Sequence, residues 1–332
     1  FFKSAWYDKL DEMENKGNAE MKTTLILGST VIDMIVRVPH LPVTQEDLNT
    51  RSMTMALGGC AYNVARMLRL FQLPIMHCSP TGDGLFGQIT EKLLNEEGLH
   101  PAVCVKGQDN GCCLCLVEDS GERTFLSTHG AEYGFDEQWL ADLDPAQLDY
   151  IYVCGIELEE PTGLAMLNWI HTHPGPQVFF APGARLMHLD DRRWQAIAEC
   201  HPILHLNEAE AFWLSGKQEI RSAAAVLRER FKNAVIITQG AEGAACCSAS
   251  GDFCQIQGQS TVVVDTIGAG DCHAGTILAG LKQGWPLEAA AALANVMAAK
   301  VVSSPSARLD EAEFQDVLTT WKQKNGKDLP SA

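Results

Sequence analysis

The chain has 332 residues, with 25 Lys and Arg against 42 Asp and Glu, a formal charge of -17 and 46% hydrophobic residues. This is enough for one large α/β domain or two modest ones with a sizeable core. The acidic balance argues against nonspecific binding to nucleic acid or to an anionic membrane, both of which need a basic surface.

Residues 1–20, before Met21, place Phe1, Phe2, Trp6, Tyr7 and Leu10 among acids and lysines. That pattern suits a short amphipathic helix or a leader, so 1–21 is set apart as an N-terminal extension with no assigned function. From Thr23 onward strand-like and helix-like segments alternate. Residues 24–27 read as a buried strand, 34–57 as strands without a helix between them, and 61–71 and 89–97 as helices. Residues 111–127 read as strands again, with a hairpin turn at Asp119-Ser120-Gly121-Glu122. Short buried strands are then expected at 151–154, 178–180, 203–206, 234–238 and 261–264, with helices at 163–171, 208–214 and 222–231 among them. Such alternation predicts a mainly parallel sheet covered on both faces, within a single domain over 22–325 and a tail at 326–332. The two all-strand regions, about 34–57 and 111–127, form either a small β flap over a crevice or an ordinary edge hairpin. A flap would exclude water from the crevice beneath it.

The 12 cysteines are scattered, and Cys78, Cys104, Cys154 and Cys254 sit in apolar runs, where a free thiol behaves as a small hydrophobe. Cys112 and Cys115 form a C-x-x-C on a strand-like run, but no second pair follows at zinc spacing. Structural thiols in a reducing cytoplasm are expected. No secretory signal and no apolar stretch of membrane-spanning length is visible.

The most informative segment is Thr261-Val-Val-Val-Asp-Thr-Ile-Gly-Ala-Gly-Asp271. The β-branched run should end a strand at Asp265, and Ala274, Ile277, Leu278 and Leu281 then mark one face of a helix. Gly268-Ala269-Gly270 therefore lies at a strand-to-helix turn, where bare amides and the helix dipole can close on an anion. Asp271, in the first helical turn, could accept a proton from an attacking hydroxyl while the amides hold a phosphoryl group. Turn chemistry alone would equally make it a helix-start residue beside a tight turn.

Asp265-Thr-Ile-Gly-Ala-Gly-Asp271 resembles the D-T-x-G-A-G-D signature of ribokinase-like (PfkB) sugar kinases. The resemblance implies Asp271 as base and the amides of Gly268, Ala269 and Gly270 as anion hole. Asp265, with Ile267, would belong to a loop that often binds a monovalent cation such as potassium. Gly58-Gly59-Cys60-Ala61-Tyr62-Asn63-Val64-Ala65 is similar to the family's G-G-x-x-x-N-x-A element, whose glycine backbone and Asn63 would contact substrate hydroxyls. Asp33 matches a substrate-binding aspartate, and Glu159 a substrate-side glutamate. Asn207-x-x-Glu210 resembles an N-x-x-E in which the glutamate organises the magnesium hydration shell and the asparagine lies near the phosphates. Thr238, Gly240 and Gly243 match a T-x-G-x-x-G with nucleotide contacts, and Asn295 falls close to the adenine. Without the resemblance, Asn207 and Glu210 read equally well as a helix cap, and Gly58-Gly59 as a flexible joint.

The implied architecture is a three-layer α/β sandwich with a β lid that often pairs two subunits. The implied activity is ATP- and Mg²⁺-dependent phosphorylation of a hydroxyl, expected to be primary, on a small sugar, with a nucleoside as the alternative acceptor. The resemblance spans residues 21 to about 302, closest in detail to uncharacterised bacterial sugar kinases. Val31 and Cys60 stand where ribokinases often place Asn and Lys, so ribose itself does not carry over. Ser303-Ser304-Pro305-Ser306 replaces the usual Gly-Ala turn, which weakens the potassium expectation.

Gly82-Asp83-Gly84-Leu85-Phe86-Gly87 also spells a dinucleotide fingerprint, which would make the protein an NAD-dependent dehydrogenase. The run before it contains prolines and few β-branched residues, and ribokinase-like chains carry a glycine–aspartate pattern here. No P-loop motif occurs. A catalytically inactive regulator of the same fold would be marked by loss of the base, and Asp271 is present.

Overall fold

A computed structural model describes residues 21–304 and 308–325. The 1–20 extension, the 326–332 tail, and Pro305 and Ser306 of the Ser-Ser-Pro-Ser run lie outside the described residues. Strand β1 (Thr23–Leu27) is buried throughout. Strands β2 (Val31–Val38) and β3 (Ser52–Gly58) follow without a helix between them, and Gly59 leads into helix α1 (Cys60–Leu70). After β4 (Ile75–Cys78) and the two-residue β5 (Thr81–Gly82) comes α2 (Leu85–Glu96). The short β6 (Cys104–Val105) precedes β7 (Cys112–Glu118) and β8 (Arg123–Thr128).

From β9 (Leu148–Cys154) the chain alternates through α3 (Gly155–Glu159), α4 (Gly163–Thr172), β10 (Gln177–Ala181) and α5 (Asp191–Glu199). It continues with β11 (Ile203–Asn207), α6 (Glu208–Ser215), α7 (Ile220–Phe231) and β12 (Val235–Thr238). An antiparallel pair, β13 (Gly243–Cys247) and β14 (Phe253–Gln257), precedes helices α8 (Ala269–Lys282), α9 (Leu287–Val302) and α10 (Glu311–Asn325).

Eight strands form the main sheet in the order β14-β13-β12-β11-β10-β9-β1-β4, and those from β12 to β4 run parallel. Being covered on both faces, these strands must be apolar on both, which is why they read as continuous hydrophobic runs. Leu25 and Leu27 enter the layer formed with α4, α5 and α7, while Ile26 enters the layer formed with α1, α8 and α9. Each such aliphatic side chain contributes roughly 1.5–3 kcal/mol by leaving water. Phe314 and Trp321 of α10 pack outside α9. The three-layer sandwich expected from the pattern is the one observed.

The two all-strand regions leave that sheet together. They form a four-stranded sheet, β3-β2-β7-β8, in which β2 and β7 are parallel and the outer pairs antiparallel. The expected turn forms, with Gly121 at φ 89 and its N–H donating to the Glu118 carbonyl at 2.9 Å. This is the flap, not an edge hairpin of the main sheet.

One expected strand is absent. Residues 261–264 run irregularly, with Val262, Val263 and Val264 exposed by 77%, 67% and 52%. β-Branched residues favour a strand only where a neighbouring edge can pair with them. Here the amides of Val264 and Asp265 donate instead to the carbonyl of Val302, at the end of α9. All 12 cysteines are free thiols, and Cys112 and Cys115, three apart on one strand, point to opposite faces. No helix among the described residues is long and apolar enough to cross a membrane.

Candidate active site

Helix α8 starts on Gly268, which holds φ 73 in the left-handed region, and no side chain caps it. A β-carbon at Gly270 would meet nothing within 4 Å. There is thus room beside the start of the helix, where the Ala269 amide reaches the Thr266 carbonyl at 3.4 Å. Asp271 follows directly, and its Oδ2 accepts a hydrogen bond from Asn63 Nδ2 at 2.8 Å. Burial raises its pKa; hydrogen bonds from Asn63 and Cys60 oppose the rise, and the nearby Glu157 charge adds to it. A carboxylate poised this way is a better base than an exposed one, since its proton affinity moves toward neutral pH.

Asn63, expected to contact substrate hydroxyls, is the partner of Asp271. It lies in the first turn of α1, whose apolar face (Ala61, Val64, Ala65, Leu68) is buried against the sheet. Asp33, on β2 of the flap, lies so close to Gly58 that a β-carbon there would fall 2.0 Å from Asp33 Oδ2. At Gly59, with φ 102, it would fall 2.5 Å from the Ser29 carbonyl. Only glycines allow flap and helix to meet here. Burial raises the Asp33 pKa to about 6, opposed only by the charge of Arg308. It is a partly enclosed carboxylate without fixed donors, suited to accept two hydroxyls.

On the other side of Asp271 an open pocket is lined by Thr238, Gly240, Gly243, Ala269, Gly270 and Asn295, together with Val263 and Thr266. It sits beyond the carboxyl ends of the parallel strands, where open α/β sheets bind ligands. Thr238 pairs in register with Asn207. Behind the pocket, His205 Nε2 and His273 Nδ1 lie 2.8 Å apart, and His273 Nε2 lies 3.0 Å from Asn295 Oδ1. Asn295 Nδ2 donates to the carbonyls of Ile256 and Gln257 at 3.2 and 3.0 Å. The Asn295 amide, expected near an adenine, thus lines the pocket with its polar atoms already engaged. Burial lowers the His273 pKa to about 4 and holds that of His205 well below the usual imidazole range, so both rings are neutral.

Other expected residues stand apart. Glu159 is clamped by Arg185, Nε to Oε2 at 2.6 Å and Nη2 to Oε1 at 2.5 Å, so it is no open substrate ligand. Its neighbour Glu157, missed in the sequence, is the buried one: it accepts from the Ser29 N–H at 2.6 Å and from the Cys154 thiol. The signal was present, since a five-residue helix turns residue 157 inward and 159 outward. Asp265, expected beside a monovalent cation, instead meets Arg123 in a bidentate pair at 2.8 and 2.7 Å, and its Oδ1 also accepts the Ile267 N–H at 2.9 Å.

Asn207 and Glu210 form a capping box on α6, and each carboxylate oxygen of Glu210 accepts one bond from Asn207. A second lone pair stays on each, enough for an indirect, water-bridged role. Among the described residues no group of three or more His, Cys, Asp or Glu could hold a metal. Magnesium, which keeps most of its water and favours phosphate oxygens, fits such a sparse donor set. The dinucleotide-like turn is closed: Asp109 accepts from the Gly87 and Phe86 amides at 2.8 and 3.3 Å and so occupies the start of α2. β5 pairs only with β6, outside the main sheet, so the dehydrogenase reading has neither strand nor free helix end.

Sandwich, flap and an uncapped helix start beside a carboxylate define a kinase that acts on an alcohol. The chain belongs to the pfkB family of carbohydrate kinases, whose profile matches residues 21–313. It is 35% identical over 287 residues to the uncharacterised sugar kinase YegV of Escherichia coli (strain K12), covering 85% of this chain and 88% of that protein. Ribokinase from Thermotoga maritima superposes with a TM-score of 0.76 at 18% identity, covering 90% of this chain and 99% of its own. Ribokinase from Cryptococcus neoformans in complex with ADP gives 0.72 at 22% identity, covering 89% and 99%.

Proposed function

We propose that this kinase transfers the γ-phosphoryl group of ATP in line to a primary hydroxyl of a small sugar or nucleoside, with Asp271 as the base. The observation that carries the reading is the position of residues 270 and 271. Gly270 lines the pocket of Thr238 and Asn295, while Asp271, one residue on, is hydrogen-bonded to Asn63 of the acceptor side. Asp33, Gly58, Gly59 and Asn63 orient the acceptor hydroxyls. Thr238, Gly240, Gly243 and the Asn295 wall hold the nucleotide, and the first-turn amides of α8 stabilise charge on the transferring group. Asp271 removes the hydroxyl proton as the new O–P bond forms, and ADP leaves. Magnesium bound with the nucleotide would neutralise phosphate charge, with Glu210 and Asn207 holding its hydration shell.

Val31 and Cys60 carry no strong hydrogen-bonding group toward the acceptor, so a less polar sugar face than that of ribose is expected. The flap exposes Met53, Met55 and Leu126 on one face, an apolar surface that suits a second copy of the chain. Twelve free thiols suit a reducing cytoplasm. The test is ADP release from ATP and Mg²⁺ across a panel of pentoses, hexoses and nucleosides, with light scattering for the dimer. One acceptor with saturable turnover is expected. ATP binding without turnover on any alcohol would leave a sensor, and NADH binding would revive the dehydrogenase.

A further inference from the structure

The resemblance places a monovalent cation beside Asp265, and the residues present do not fit one. Both carboxylate oxygens are taken by the Arg123 guanidinium, and Oδ1 takes the Ile267 N–H as well. The carbonyl of Val302 across the loop already accepts the amides of Val264 and Asp265, at 2.8 and 3.1 Å. The pair is largely enclosed, with 10% of the Asp265 side chain and 24% of Arg123 exposed. A potassium ion would have to displace a two-pronged, charge-assisted contact whose donor is anchored to the fold.

We propose that Arg123 is the built-in cation of the 265–271 loop, ordering the amides that hold phosphate, and that this enzyme needs no potassium. Asp265 accepts the Ile267 N–H, and Ile267 directly precedes Gly268, the left-handed residue that starts α8. Neutralising Asp265 therefore braces the turn from which the anion hole is built. A guanidinium does this with direction as well as charge, because its fork matches a carboxylate.

Arg123 also brings the flap into the phosphate site. Strand register puts Arg123, Val117 and Arg37 on the face of the flap that carries Ser127, Cys113 and Asp33. One sheet thus supplies the acceptor-binding carboxylate and the counter-charge of the phosphate loop. Arg123 touches no reacting atom; it is a positioning residue.

The proposal rests on the reading that residues 268–270 hold phosphate, so the test reads nucleotide affinity before turnover. ADP is titrated calorimetrically into the full chain in potassium chloride and in tetramethylammonium chloride at equal ionic strength. For the unmodified protein the two affinities should agree within about twofold, since a site that binds no potassium has no linkage to it. In Arg123→Ala, affinity in tetramethylammonium should fall about tenfold, and potassium should restore several-fold of it by entering the vacated position. A merely structural tether would show the loss without the potassium response, and that result overturns the proposal. So does an unmodified protein whose ADP affinity rises about tenfold with potassium. Should Arg123→Ala fail to fold, Arg123→Lys takes its place with a smaller loss and a smaller potassium response, and the unmodified titration stands without either. No ADP binding in either salt overturns the nucleotide reading and this one with it; potassium-dependent binding overturns this one alone.

Discussion

Two helices of this chain open on glycine-rich turns, and their first amides meet different partners. At α2 the turn Gly82-Asp83-Gly84 leads into amides already held by Asp109, at 2.8 Å to Gly87 and 3.3 Å to Phe86. At α8 no side chain caps Gly268, and the carboxylate of its first turn, Asp271, is held by Asn63 at 2.8 Å. Both strings look like phosphate binders on paper. Glycines provide room; what stands opposite the amides decides whether that room becomes a site.

The contrast can be broken most severely at Asp271. Asp271→Asn keeps the hydrogen bond geometry but removes the base, so kcat should fall by about 10²–10⁴ while ADP affinity stays within about threefold. Near-normal turnover would remove Asp271 from the chemistry. Next comes Gly270→Val. A β-carbon there meets none of the surrounding side chains or loops within 4 Å, so the fold should persist while the space beside Asp271 is filled. Nucleotide affinity should drop by about 10–100-fold with little change in Tm, and an unaltered affinity would place the phosphate elsewhere.

Gly58 and Gly59 make a third glycine turn, and pH sharpens the comparison there. Asp33 beside it titrates near 6, raised from 3.8 by burial. Acceptor hydroxyls need the ionised form, so kcat/KM should fall about tenfold per pH unit below 6. Stability moves the other way. Because the folded pKa is the higher one, the contribution of Asp33 is complete below about pH 4 and is lost as pH rises through about 6. Asp33→Asn should abolish that pH dependence of Tm and gain on the order of 1–2 kcal/mol at pH 8, at the expense of acceptor binding. A Tm profile unchanged by the substitution would show that Asp33 is not the buried acid. The smallest effect belongs to Asp109→Ala, which uncaps α2 and should cost about 1–2 kcal/mol of stability with kcat unchanged. A large loss of kcat would make α2 part of the site after all.

These regions also differ in how far they could be read from the sequence. The turn at Gly268 and Gly270 and the first-turn place of Asp271 were legible because the proposed base and anion hole are contiguous, and the buried face of Ala274, Ile277 and Leu278 fixed the helix that follows. The parallel strands were legible because burial on both faces leaves unbroken apolar runs. Arg123 was not legible: its partner lies 142 residues away, and only the pairing of β7 with β8 and β2 brings them together. Glu157 was overlooked for Glu159, since a string of acids does not reveal which one a short helix turns inward. Residues 261–264 were misread because β-branched side chains announce a strand but not the edge it must pair with.

The hydrogen-bonded run behind the pocket of Thr238 and Gly270 has one further consequence. Asn295 gives both amide protons to the carbonyls of Ile256 and Gln257, so its oxygen can only accept, and His273 must carry its proton on Nε2. His273 Nδ1 is then a bare acceptor, and His205 must donate to it. Tautomers and amide orientation are thereby locked in a single polarity running from β11 through α8 and α9 to the end of β14. Gly258 and Gln259, which continue that strand into the pocket lining, are moored to the central sheet before any ligand arrives. The pocket wall is preorganised, and a ligand entering it has little ordering left to impose.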